Sequence, residues 1–241
     1  MKISESRLDA RGLSISKPLV SELSLDRSSA YLTDSRLVDS LMGTAHASQF
    51  SRLVAEDCEF VSVGNAQNIA ATLYATTGTE LLLRRCKVRT VRGETLRLKG
   101  YVTLVAENCQ FLHEPSVTPF LKAGSIQGYE VLTRPSQSSI VPPFKVWVED
   151  FWQRAGLVRA NRQGCDLTLR SCRVTDQGRS VFALATGSQL IFDSSLLTVP
   201  SATGVDGRYA HILAQRSSIL ARNSRLDVDG IREHKRSRPG P

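Results

Sequence analysis

The chain is poor in aromatic residues, which make up 6% of its 241 positions, with two Trp and two Met. Any core must therefore be built from Leu, Val, Ile and Ala. No apolar run reaches the roughly 18 residues that a membrane-spanning helix needs. The opening Met1-Lys-Ile-Ser-Glu-Ser6 lacks an apolar h-region, so no Sec-type signal peptide is expected. Localisation stays open between the cytoplasm, another export route, and a fragment of a longer secreted or surface protein. The five cysteines, Cys58, Cys86, Cys109, Cys165 and Cys172, are odd in number and form no close pair. That argues against a disulfide scaffold. There is no CxxC, no Cys/His cluster at zinc spacing, and the four His are scattered, so neither metal nor cofactor is expected. A hydrophobic share of 41% excludes disorder for most of the chain.

What is present is a short repeat: apolar, any, apolar, any, any, Ser or Cys, any, apolar. It reads Leu53-Val-Ala-Glu-Asp-Cys58-Glu-Phe60, then Leu81-Leu-Leu-Arg-Arg-Cys86-Lys-Val88, then Leu104-Val-Ala-Glu-Asn-Cys109-Gln-Phe111. Further copies begin at Met1, Ala30, Leu167, Leu190 and Ile219, with a weaker one at Tyr129, nine in all. Their spacings run from 23 to 29 residues, with one of 38. Alternation over three to five residues specifies strands. A coil of this length holds two or three strands and cannot bury its apolar face alone; stacked coils can. The sixth position then forms a column of small residues: Ser6, Ser35, Cys58, Cys86, Cys109, Cys172, Ser195 and Ser224. The residue before it is mostly Asp, Asn or Ser, suited to a left-handed turn conformation.

This pattern resembles the single-stranded right-handed parallel β-helix of the pectin-lyase-like superfamily. The stretch 187–197, Gly-Ser-Gln-Leu-Ile-Phe-Asp-Ser-Ser-Leu-Leu, is most similar to autotransporter passenger repeats. The resemblance implies an all-β fold of about nine coils over residues 1–228, and it is unspecific for activity. A leucine-rich repeat is the competing fold. It wants Leu three residues before the strand, where three of seven copies carry Gly.

The 38-residue spacing predicts a side insertion over about 113–156, which holds five of the nine Pro and both Trp. Apolar spacing at i, i+3, i+4 and i+7 over 144–155 predicts a short amphipathic helix. Packing of its aromatic face on the coil is the plain expectation, and a stacking wall for sugar rings formed by Trp147 and Trp152 is the functional one. After residue 228 the apolar pattern stops. Residues 229–241 read as a disordered basic tail.

No acid–base pair is recognisable. The nearest carboxylates, Asp34, Glu56 and Asp57, are followed one coil later by Arg84 and Arg85. Glu56, Arg84 and Glu107 fall in register, which predicts an ion-pair ladder on the surface. The cysteines of the column are expected to be free, buried thiols. The formal charge of +8 is concentrated: residues 84–99 carry seven cations against Glu94, and 232–238 carry four against Glu233. Arg84, Arg85, Lys87 and Arg89, with Trp147 and Trp152, are therefore the candidate binding residues. The expected partner is an acidic polysaccharide or a protein, with nucleic acid a lesser expectation. The function expected is a non-catalytic, adhesin-like interaction scaffold; the alternative is a polysaccharide lyase or hydrolase acting on acidic glycans. An open first coil exposes strand edges, which predicts end-to-end self-association or a further N-terminal part.

Overall fold

The computed structural model describes residues 1–16, 22–41, 43–64, 71–114, 120–124, 164–177, 183–200 and 212–229. These are strand, bend or irregular backbone, with no helix among them. The 24 strands form three parallel sheets of eight. The first holds β1 (Lys2–Ser4), β4 (Leu23–Asp26), β7 (Ala45–Ser48), β10 (Ala71–Thr76), β13 (Glu94–Lys99), β16 (Leu121–Ala123), β19 (Ala183–Thr186) and β22 (Ile212–Gln215). The second holds β2 (Arg7–Arg11), β5 (Ser29–Thr33), β8 (Arg52–Glu56), β11 (Glu80–Arg84), β14 (Thr103–Glu107), β17 (Asp166–Arg170), β20 (Gln189–Asp193) and β23 (Ser218–Arg222). The third holds β3 (Ser14–Ser16), β6 (Arg36–Ser40), β9 (Glu59–Ser62), β12 (Lys87–Thr90), β15 (Gln110–His113), β18 (Arg173–Asp176), β21 (Leu196–Pro200) and β24 (Arg225–Asp229). Each strand pairs with the strand three places on in the chain, the topology of a parallel β-solenoid. Three sheets, rather than one curved sheet, set aside the leucine-rich repeat.

Period-two alternation explains the core. In the second sheet Leu53, Leu81, Leu104, Leu167 and Leu190 stack in register and are fully buried. Leu32, Ala55, Leu83, Ala106, Leu169 and Phe192 form the column beside them. The corners explain the rest. Asp34, Asp57, Arg85, Asn108, Ser171, Ser194 and Asn223 all have φ between 48° and 54°. That left-handed conformation costs an L-residue roughly 1–2 kcal/mol, least for Asn and Asp. Seven coils turn there in the same way.

The small residue after each corner faces inward and ties neighbouring coils together. The Ser195 hydroxyl accepts from the Cys172 N–H at 3.1 Å and donates to the Asp193 carbonyl at 3.0 Å. Cys58, Cys86, Cys109 and Cys172 are buried and free, as expected.

The first repeat copy sits in a different register from the one its sequence suggests. Leu8 and Ala10, not Met1 and Ile3, lie beside Ala30 and Leu32. Ile3 lies beside Leu25 in the first sheet. Ser6 therefore belongs to the other corner, where its N–H donates to the Ser28 hydroxyl, and Leu13 stands over Ser35. The physical reason is that Met-x-Ile and Leu-x-Ala alternate equally well, so pairing with the next coil decides.

β14 pairs directly with β17. Within the stretch expected to leave the coil, β16 pairs with both β13 and β19. The weak copy at Tyr129, the helix at 144–155 and the basic tail after 229 lie outside the described residues.

Candidate functional site

The basic strip begins on β11. Leu81 and Leu83 point inward, which turns Glu80, Leu82 and Arg84 outward. Arg85 occupies the left-handed corner, Cys86 turns in, and β12 again alternates, with Lys87 and Arg89 outward and Val88 and Thr90 buried. Four cations are thus brought to one edge of the solenoid, where the second sheet meets the third.

Three of them are already engaged by carboxylates. Register places Arg84 between Glu56 and Glu107. Its Nε donates to Glu107 Oε2 at 3.3 Å, and Glu107 also accepts from Arg170 Nη1 at 3.1 Å. Arg85 reaches back 28 residues and grips Asp57 with two bonds, Nε to Oδ1 at 2.9 Å and Nη2 to Oδ2 at 2.7 Å. Its Nη2 also donates to Glu56. This two-pronged hold keeps the Asp57 carboxyl below the usual carboxylate range and the Arg85 guanidinium above its ordinary value. Arg89 Nε donates to Glu114 Oε1 at 2.7 Å. The strip is a surface network rather than a field of bare positive charge, and solvent screens such exposed pairs, so they add little to stability.

Lys87 is different. It is exposed and forms no ion pair among the described residues. Its register neighbours are Glu59, which is held by Arg36 at 2.8 Å, and Gln110, which in turn neighbours Arg173. Arg173 is likewise exposed and outside any ion pair among the described residues. The outward row Lys87–Gln110–Arg173 thus sets two cations about 10 Å apart with an amide between them. Trp147 and Trp152 lie outside the described residues.

A second outward row runs along the first sheet. His46, Tyr74, Arg97 and Lys122 are in register on four successive strands. The His46 and Tyr74 rings stack with centroids 4.7 Å apart, and the Arg97 guanidinium lies 5.6 Å from the Tyr74 ring centre. Burial pushes the His46 imidazole down, favouring its neutral form.

Inside the solenoid a polar column closes the third sheet: Ser62, Thr90, His113 and Asp176, all buried and in register. His113 Nδ1 lies 2.6 Å from Asp176 Oδ1, and its Nε2 lies 2.9 Å from the Gly93 carbonyl. The ring is thus held at both nitrogens, one by a carboxylate and one by a carbonyl. Both side chains are buried and held by protein partners, so the pair orders the interior of the solenoid. Sequence reasoning missed this pair because its members stand 63 residues apart. The available signal was a polar residue four places after each corner cysteine, at Ser62, Thr90, His113 and Asp176.

No group of three or more His, Cys, Asp or Glu among the described residues could hold a metal. Comparison with family models, curated proteins and solved structures returns no match.

Proposed function

We propose that the chain is a right-handed parallel β-helix of the pectin-lyase-like kind, with about nine coils, acting as a non-catalytic, adhesin-like scaffold for an acidic polysaccharide or similar polyanion. The three parallel sheets agree with that helix type. The observation that carries the functional reading is the outward Lys87–Gln110–Arg173 row, two cations outside any ion pair among the described residues with an amide between them. A polymer with anionic groups along its length would lie across the strands and meet both. Arg84, Arg85 and Arg89 support the edge of this surface rather than its centre, since their charge is already shared with neighbouring coils. The carboxylates nearest the strip are each held by an arginine, which speaks for structural use over acid–base chemistry.

Titration with a polyuronate at low and high salt tests the reading. Binding should weaken steeply with salt. Lys87→Ala with Arg173→Ala should lower affinity about tenfold, the loss of two surface charge contacts. Arg84→Ala should leave affinity near that of the parent chain. Equal loss in both variants, or no binding, rejects the site. Unsaturated product formed with calcium present would replace the scaffold reading with a lyase.

A further inference from the structure

Both ends of the solenoid are open among the described residues. β1, β2 and β3 edge the three sheets at one end, and β22, β23 and β24 edge them at the other. Among the described residues, no further element stands over the inward columns at either end. At the first coil Ile3, Leu8, Ala10 and Leu13 pack on the core yet stay only partly buried. At the last coil Ile219 is 44% and Leu226 48% exposed.

The two ends match position by position. The column that begins at Leu8 finishes at Ile219, and the one that begins at Ile15 finishes at Leu226. Corner N–H groups along the stack donate to the carbonyl of the next coil, as Glu5 does to Asp26 and Ser194 to Arg222. In the last coil the corner residues Arg216 and Asn223 have no such acceptor among the described residues. Charge is complementary as well. Glu5 and Arg216 occupy the same corner at opposite ends, each with φ of 49°. Glu5 pairs with Arg27 on its own side at 2.6 Å and is open on the other.

We propose that these ends are complementary surfaces through which a second copy of this chain docks head to tail, continuing the three sheets into a longer solenoid. Ile219 meets the second copy's Leu8, Leu226 its Ile15, and Arg216 its Glu5. Joining two like ends would run the strands antiparallel and break these columns, so the contact is heterologous and self-propagating. One position opposes it: Arg222 meets Arg11, whose charge is already shared with Asp34. This inference stands independently of the polyanion reading.

Sedimentation velocity on the full chain tests it. The parent chain should gain mass with concentration. Arg216→Glu should raise the dissociation constant about tenfold by setting like charges together. Arg222→Glu should lower it, by removing the one repulsion. The decisive arm uses two blocked chains, one carrying Leu8→Lys with Ile15→Lys, the other Ile219→Lys with Leu226→Lys. Each alone should be monomeric, and their mixture should stop at a dimer, which also proves that the intact end of each is folded. A parent chain that stays monomeric at every concentration overturns the proposal. So does association of either blocked chain alone, a mixture without dimer, or Arg216→Glu associating as the parent does.

Discussion

His113 and Asp176 show how much one interior pair can decide. Both are buried, and the contact between them joins two strands of the third sheet inside the solenoid. His113→Leu removes the imidazole from Asp176 and should cost about 3–5 kcal/mol in urea unfolding. His113→Leu with Asp176→Leu should recover most of that, because two apolar groups replace the pair together. Glu22 makes a different demand. Its carboxyl is buried with neither oxygen hydrogen-bonded among the described residues, and burial, with Asp39 nearby, pushes its pKa to about 8. A carboxyl whose folded pKa is raised binds more protons folded than unfolded between about pH 4.5 and 8. Its contribution is complete below the unfolded pKa and is lost as pH rises through 8. Thermal melts should therefore show stability falling by about 2 kcal/mol across that window, after allowance for solvent relaxation. Glu22→Gln should flatten the fall.

Coils repeat because their corners repeat. Each corner spends backbone strain on a residue with positive φ, and the identity of that residue tunes the cost. Ser194 sits there with φ of 52°, its hydroxyl donating to the neighbouring Asp193 carboxylate. Ser194→Gly should raise stability by about 0.5–1 kcal/mol, read from the urea midpoint. Gly164 is the opposite case. A Cβ there would lie 2.0 Å from the Gly187 carbonyl oxygen, so Gly164→Ala must push two coils apart and should cost about 1–3 kcal/mol. Strand alternation, the small inward column and the left-handed corner were all legible in the sequence, because each follows from a local steric rule. Register in the first coil was not: the two alternating runs, at Met1 and at Leu8, lie seven residues apart, and only the partner strand distinguishes them. The commitment of Arg85 to Asp57 was equally hidden, since it depends on a contact across a whole coil.

On the scale of the whole molecule, each coil touches its neighbours alone, so stability is close to a sum over coils and interfaces. At dilutions that keep the chain monomeric, amide hydrogen exchange should be slowest in β8, β11, β14 and β17, which have neighbours on both sides, and fastest in β1 to β3 and β22 to β24. Uniform protection from end to end would show instead that the ends are covered. The basic charge also reads differently at this scale. The ladder Glu56–Arg84–Glu107–Arg170–Asp193–Arg222 alternates in sign across six strands, spreading the strip's positive charge into a near-neutral rail.

The constant register carries a mechanical consequence. Strands paired across the stack are separated by 22 to 29 residues along the chain, except where the pairing spans residues 124–164: β14 with β17 and β15 with β18 stand 63 residues apart, and β16 with β19 stand 62. A force applied to the two termini would peel coils off one at a time. Each release of about 23 residues would lengthen the tether by roughly 80 Å, and the one long interval by roughly 210 Å. A pulling trace should therefore read as a staircase with even treads and a single outsized step, a length signature that reports the stacking order directly.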